Sequence, residues 1–240
     1  MRNLLIIPLT AVTAGFPYLA QADNNAIIVT QSAPDTLSVG NTLIIDQSLA
    51  DDSVVSGVLV SNPVIVPPVA ATTGPAADAP LALVNIPLEF DTSGGALQTG
   101  SGNTGNITVS GTGGRAGLLQ DGSSNSAIIV SGGDFATTLV AQFGSGNSGN
   151  LTIAGSSAFG GLLQNGDSNT GSVSVEGRDA GGILAQIGDG NQTELSVSAL
   201  DNAVVSYTVE GNNVSSVVPA NVFSTGGGAV TIVQRSITTP

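Results

Sequence analysis

Residues Gln142–Ile153 read QFGSGNSGNLTI. Gly144 and Gly146 mark a tight reversal, and the residues after it alternate polar and apolar as a half-buried strand does. Yet Gln142 and Asn147 stand where such a strand would bury side chains, and a lone buried amide is costly. The surrounding chain resolves the conflict, because the pattern Gln-x-Gly-x-x-Asn recurs. It stands at Gln98–Asn103 (QTGSGN), Gln120–Asn125 (QDGSSN), Gln142–Asn147 (QFGSGN), Gln164–Asn169 (QNGDSN) and Gln186–Asn191 (QIGDGN), each 22 residues after the last. A degenerate sixth copy, TVEGNN from Thr208, is expected to keep Asn213 and to lose the Gln and the first Gly.

Each copy predicts strand, turn, strand and loop. The first strand is ALQT, LLQD, VAQF, LLQN or LAQI, and the turn uses Gly100, Gly122, Gly144, Gly166 and Gly188. In the second strand Ile107, Ile129, Leu151, Val173, Leu195 and Val217 share one phase. Small residues precede them at Gly105, Ala127, Gly149, Gly171, Thr193 and Ser215. Two short strands cannot enclose a core, so such copies must stack, with equivalent residues roughly 4.8 Å apart. Stacking also satisfies the amides, since each can donate to one neighbour and accept from the other. The expected fold is all-β, a flattened two-sheet parallel β-solenoid of amyloid-like, cross-β character. Its expected structural ladders are Gln98, Gln120, Gln142, Gln164 and Gln186, with Asn103, Asn125, Asn147, Asn169, Asn191 and Asn213.

The outer phase of the first strand has a second rhythm. Leu139, Ala141, Phe143 and Ile183, Ala185, Ile187 alternate with Gly117, Leu119, Asp121 and Gly161, Leu163, Asn165. Such an apolar outer face is covered either by the amino-terminal segment or by a neighbouring assembly.

Composition narrows the function. The chain has no Cys, His or Trp, and its 17 acids against 4 cations leave a formal net charge of −13. Phosphate neutralisation needs basic clusters, so nucleic acid is an unexpected partner. Nucleophile–base sets built on His or Cys are absent, so catalysis would rest on carboxylates. The candidates Asp51 with Asp52 and Asp167 with Asp189 make no cleft: neighbours on a strand face opposite ways, and turn tips carry solubilising charge. The GDGN of Gly188–Asn191 lacks the nonapeptide that loads calcium into β-helices. The sequon matches NIT, NLT, NQT and NVS arise readily in an Asn-rich repeat. An ice-binding face would need regular Thr, and the outward phase Thr108, Val130, Thr152, Ser174, Ser196 is mixed. No enzyme activity, catalytic residue, metal site or cofactor is expected.

The chain opens MRNLLIIPLTAVTAGFPYLAQAD. Arg2, the apolar run Leu4–Phe16 and the small-x-small Ala20-Gln21-Ala22 predict a signal peptide over residues 1–22. That run is too short and Pro-interrupted to span a bilayer, so no membrane insertion is expected. Residues 23–60 form an amino-terminal segment with partial repeats, and 61–95 a Pro/Ala-rich linker or arm. The repeats occupy 96–218, and 219–240 is a carboxy-terminal strand and tail.

Over Ala96–Val218 the pattern resembles the curlin repeat. Curlin repeats usually close with a second Gln; here that phase holds Val109, Ile153, Val175 and Val197, while NAIIVTQ (Asn25–Gln31) and NTLIIDQ (Asn41–Gln47) show the fuller ending. AVTIVQR (Ala229–Arg235) resembles the tail of a nucleating minor subunit, so both major and minor roles stay open. The resemblance implies a secreted subunit that self-assembles into extracellular, cell-surface-associated curli fibres, a pilus-like functional amyloid supporting biofilm and cell adhesion. It also implies a companion curlin subunit and a curli-type secretion pore with chaperones. The alternative is a monomeric β-solenoid adhesin or surface-binding protein.

Overall fold

The computed structural model describes residues 4–8, 18–22, 25–32, 40–60, 88–91, 95–198, 203–218 and 228–236. All their regular structure is strand. β1 (Leu4–Pro8), β2 (Tyr18–Ala22), β3 (Asn25–Ser32), β4 (Thr42–Asp51), β5 (Val54–Val60) and β6 (Leu88–Asp91) precede the regular region. There each coil supplies a pair of strands. The pairs are β7 (Ala96–Ser101) and β8 (Thr104–Thr112), β9 (Arg115–Ser123) and β10 (Ser126–Ser131), and β11 (Thr137–Ser145) and β12 (Ser148–Ile153). Next come β13 (Phe159–Asn165) and β14 (Thr170–Glu176), then β15 (Gly181–Ile187) and β16 (Gln192–Ser198). β17 (Ala203–Glu210), β18 (Ser215–Val218) and β19 (Gly228–Arg235) follow.

The strands form two facing sheets. One runs β1-β4-β8-β10-β12-β14-β16-β18; the other runs β19-β17-β15-β13-β11-β9-β7-β3-β5-β6, with β2 on β3. Successive coils pair in parallel and in register, Gln120 on Gln142 and Gln142 on Gln164. Period-two burial explains the thinness of the stack: Leu151 and Ile153 are fully buried while Thr152 between them is half-buried. The core is a column of Leu118, Val140, Leu162, Leu184 and Tyr207 from one sheet, facing Ile107, Ile129, Leu151, Val173 and Leu195 from the other. Small residues make the close approach possible. A Cβ on Gly149 would lie 2.7 Å from Leu162 Cδ2 and 3.0 Å from Gln142 Nε2, so the amide occupies the space a side chain would need.

A further coil lies beneath the regular ones and is interrupted in sequence. β3 pairs with β7 and β4 with β8, both in parallel. NAIIVTQ therefore belongs to the first sheet position, with Gln31 in register with Gln98, and is not a second-strand ending. Between these layers one strand position is shared. Ser56 lies opposite Gly117, and Leu97 opposite Leu119, so Ser56 and Ala96 occupy successive places along β9. The other neighbour agrees: Ile27 pairs with Val55 and Val29 with Ala96. Residues 57–95 are thus an excursion from the middle of one strand. Its described ends, Gly57–Val60 and Leu88–Asp91, pair antiparallel, so a stretch of the expected linker is a strand; residues 61–87 lie outside the described residues. β1 and β2, within the expected signal peptide, lie antiparallel against β4 and β3.

At the far end the register slips by one. Gln186 pairs with Val209 and Leu195 with Val218, a spacing of 23. Glu176 still pairs with Ser198 at a spacing of 22, while Gly181 pairs with Val204 at 23, which puts the extra residue between Ser198 and Val204. The sixth motif is therefore VEGNNV (Val209–Val214), which keeps its glycine and loses both Gln and Asn. Val217 correspondingly pairs with Glu194 and stands one place off the expected phase.

Candidate functional site: the buried amide ladders and the ends of the stack

Inward projection of every second residue places each repeat Gln on the inner face of its first strand, fully buried. Gln98 Nε2 donates to Gln120 Oε1, Gln120 to Gln142 and Gln142 to Gln164, each at 2.7 Å, and Gln164 to Gln186 at 2.8 Å. The second Nε2 proton goes across the core to the opposite sheet, as from Gln142 to the Ser126 carbonyl at 2.9 Å and from Gln164 to that of Ser148 at 3.0 Å. Each interior amide therefore has both protons and its oxygen engaged, which removes the burial penalty. Gln31 Nε2 extends the column by donating to Gln98 Oε1.

The Asn column runs alongside with the reverse sense of donation. Asn125 Nδ2 donates to Asn103 Oδ1, Asn147 to Asn125 and Asn169 to Asn147, each at 3.1 Å. The same oxygens accept backbone N–H groups from the following coil, from Asn103 N to Asn41 Oδ1 through to Val214 N to Asn191 Oδ1. Asn147 Nδ2 also donates to the carbonyls of Phe143 and Gly166, tying its own turn to the next.

The turns stack backbone on backbone. Gly144 has φ +107°, and a Cβ there would come within 2.4 Å of the Gly166 carbonyl oxygen. Gly100, Gly122, Gly166 and Gly188 share the positive φ and the clash. Two places on, a left-handed residue follows: Gly102, Ser124, Gly146, Ser168, Gly190 and Asn213. Asn213 is therefore exposed in a turn slot that Asn tolerates, outside the ladder, and Val214 takes the buried position. The returning arc has its own column, Gly111, Gly133, Gly155 and Gly177; a Cβ on Gly155 would sit 1.7 Å from the Gly177 oxygen. Its constant spacing is the signal by which sequence reading could have found it.

The acids act locally. Asp167 Oδ1 accepts from Ser145 N at 2.7 Å and Asp189 Oδ1 from Asp167 N at 2.8 Å, so these carboxylates cap the preceding turn as well as carrying charge. Asp51 and Asp52 are both exposed.

The two ends differ. At the amino-terminal coil Gln31 Oε1 and both amide atoms of Gln47 are buried without a hydrogen-bond partner. At the other end valines close both columns, Asn191 Nδ2 is likewise buried without a partner, and the Tyr207 hydroxyl bonds Ser216 and the Gln234 side chain. β19 is the last strand of its sheet among the described residues. It is held to β17 by backbone pairing and by the exposed Arg235–Glu210 ion pair, whose hydrogen bond and charge push the guanidinium above its ordinary pKa. No family model, no curated protein and no solved structure matches this chain.

Proposed function

We propose that this chain is an exported structural subunit that stacks end to end into an extracellular, curli-like amyloid fibre supporting biofilm and adhesion. The observation that carries the reading is the continuous buried Gln column whose amino-terminal member, Gln31, keeps an unpartnered acceptor. Gln31 Oε1 and the Gln47 amide lie on the side where a further coil would supply partners. β19 offers its outer edge at the opposite end, and open strand edges template further strands. The curlin-like spacing of Gln, Gly and Asn supports the same assignment. In this reading the protein needs no catalytic residue, metal or cofactor; its partners are its own copies, a companion curlin subunit, and a secretion pore with chaperones.

The test is assembly of protein beginning at Asp23. Fibres with a meridional spacing of roughly 4.7–4.8 Å are expected. Protein that stays monodisperse for days at high concentration, without thioflavin response, would overturn the proposal. A specific observation favours the second reading, a monomeric β-solenoid adhesin: β1 and β2 occupy the edges of β4 and β3 as caps. Full-length and Asp23-initiated protein compared side by side separate the two, since a capped monomer requires residues 4–22.

A further inference from the structure

The excursion at residues 57–95 leaves the solenoid between two consecutive positions of one strand, and its described ends fold back over the outer face of the larger sheet. Val58 and Leu88 are buried there with Leu139, Ala141, Leu163 and Ala185. The alternation of small and large outer residues fits this contact. A Cβ at Gly117 would lie 2.8 Å from the Gly57 oxygen and 2.9 Å from Val58 Cγ2, and one at Gly161 would lie 3.3 Å from Leu88 Cδ1. The glycines form the bed of the arm, and Leu139 and Phe143 stand between them. The outward phases of β11, β13 and β15 contain no charged residue.

We propose that the antiparallel pair Gly57–Val60 and Leu88–Asp91 is a sheath that prevents the outer face of this sheet from packing against the same face of a second copy. The sheath occupies a flat, uncharged, apolar stripe, and identical stripes on two molecules can pair about a two-fold axis. The role concerns side-by-side contact and is separate from growth at the ends. It rests on the fibre reading only in that lateral contact would there bundle filaments; in a monomer it would make dimers.

Two variants test it: deletion of 57–95 with Ser56 joined directly to Ala96, and Leu88→Asp in the full chain. Register predicts that the deletion keeps the strand content, read by circular dichroism, because Ser56 and Ala96 already occupy neighbouring places. If filaments form, electron microscopy should show single filaments for the parent and bundles at least about twofold wider for both variants. If none form, the fibre reading fails, and sedimentation should still show monomer for the parent and dimer for both variants. Adding Leu163→Asp to the deletion should restore the parent's behaviour. Should the deletion fail to fold, Leu88→Asp alone decides. Unchanged width and unchanged sedimentation for the folded variants would overturn the proposal.

Discussion

Gln31 lies directly beneath Gln98 and donates to its side-chain oxygen, although 67 residues separate them where every other neighbouring pair in the column is 22 apart. Position in the stack, and not distance along the chain, decides which amide satisfies which. The first prediction follows from that. Gln142→Ala strands the Gln120 amide proton and the Gln164 oxygen together, each costing about 1–3 kcal/mol. Ser145→Ala removes only an exposed hydroxyl contact to Ser123 and should change stability by less than about 0.5 kcal/mol. Urea midpoints of the two variants measure the difference; equal midpoints would show that the amide column does not hold the coils.

The two glycines of the same turn should behave differently. Gly144 combines φ +107° with a carbonyl oxygen 2.4 Å from any Cβ, whereas Gly146 is left-handed at φ +69° with its nearest neighbour, Ser168 Oγ, at 3.7 Å. Gly146→Ala should therefore cost about 1–2 kcal/mol, the ordinary left-handed penalty. Gly144→Ala must also push apart the stacked turns and should cost clearly more. Thermal melts of both variants check the ranking, and a larger loss at Gly146 would contradict the stacking.

Asn213 and Asn169 look alike in sequence and should not behave alike. Asn169→Ala removes a buried acceptor from Asn191 N and a donor to Asn147, at about 1–3 kcal/mol for each group left unpaired. Asn213→Gly leaves an exposed left-handed turn intact and should change stability by only a few tenths of a kcal/mol. Comparable losses in the unfolding midpoint would place Asn213 back in the column.

Charge should set the pace of association. With 17 acids against 4 cations, copies approaching one another repel, and Asp167 and Asp189 already stand on consecutive coils. Salt screens such repulsion over roughly 10 Å at 0.1 M. The lag before thioflavin-positive assembly should shorten as salt rises from low concentration, and a lag indifferent to salt would remove charge as the brake.

Much of the solenoid is legible in the spacing of Gln98 to Gln186, because stacking without insertion converts a chain period directly into a column. Asn213 misleads because one extra residue before Val204 shifts the sixth coil, and a doublet of asparagines hides which of its positions faces inward. Gln31 escapes for the opposite reason. Its spacing of ten to Asn41 in place of five, the bulge between Asp46 and Leu49 and the excursion after Ser56 stretch one coil until no local period remains. The outer rhythm of Gly117 and Gly161 against Leu139 and Ile183 leaves two occupants open in sequence; Val58 and Leu88 pack there against Leu139, Ala141, Leu163 and Ala185.

The two columns turn their side-chain oxygens opposite ways, and this has an electrical consequence. Gln side-chain oxygens accept from the preceding coil and Asn side-chain oxygens from the following one. In a helix the amides align and their dipoles add toward the ends. Here a Gln column and an Asn column of similar length point opposite ways, so their axial moments largely offset. Coils can be added without the amide side chains building up potential at either tip. A variant with the Gln column alone replaced by Leu would keep one uncompensated row, and its electric birefringence should exceed that of the parent.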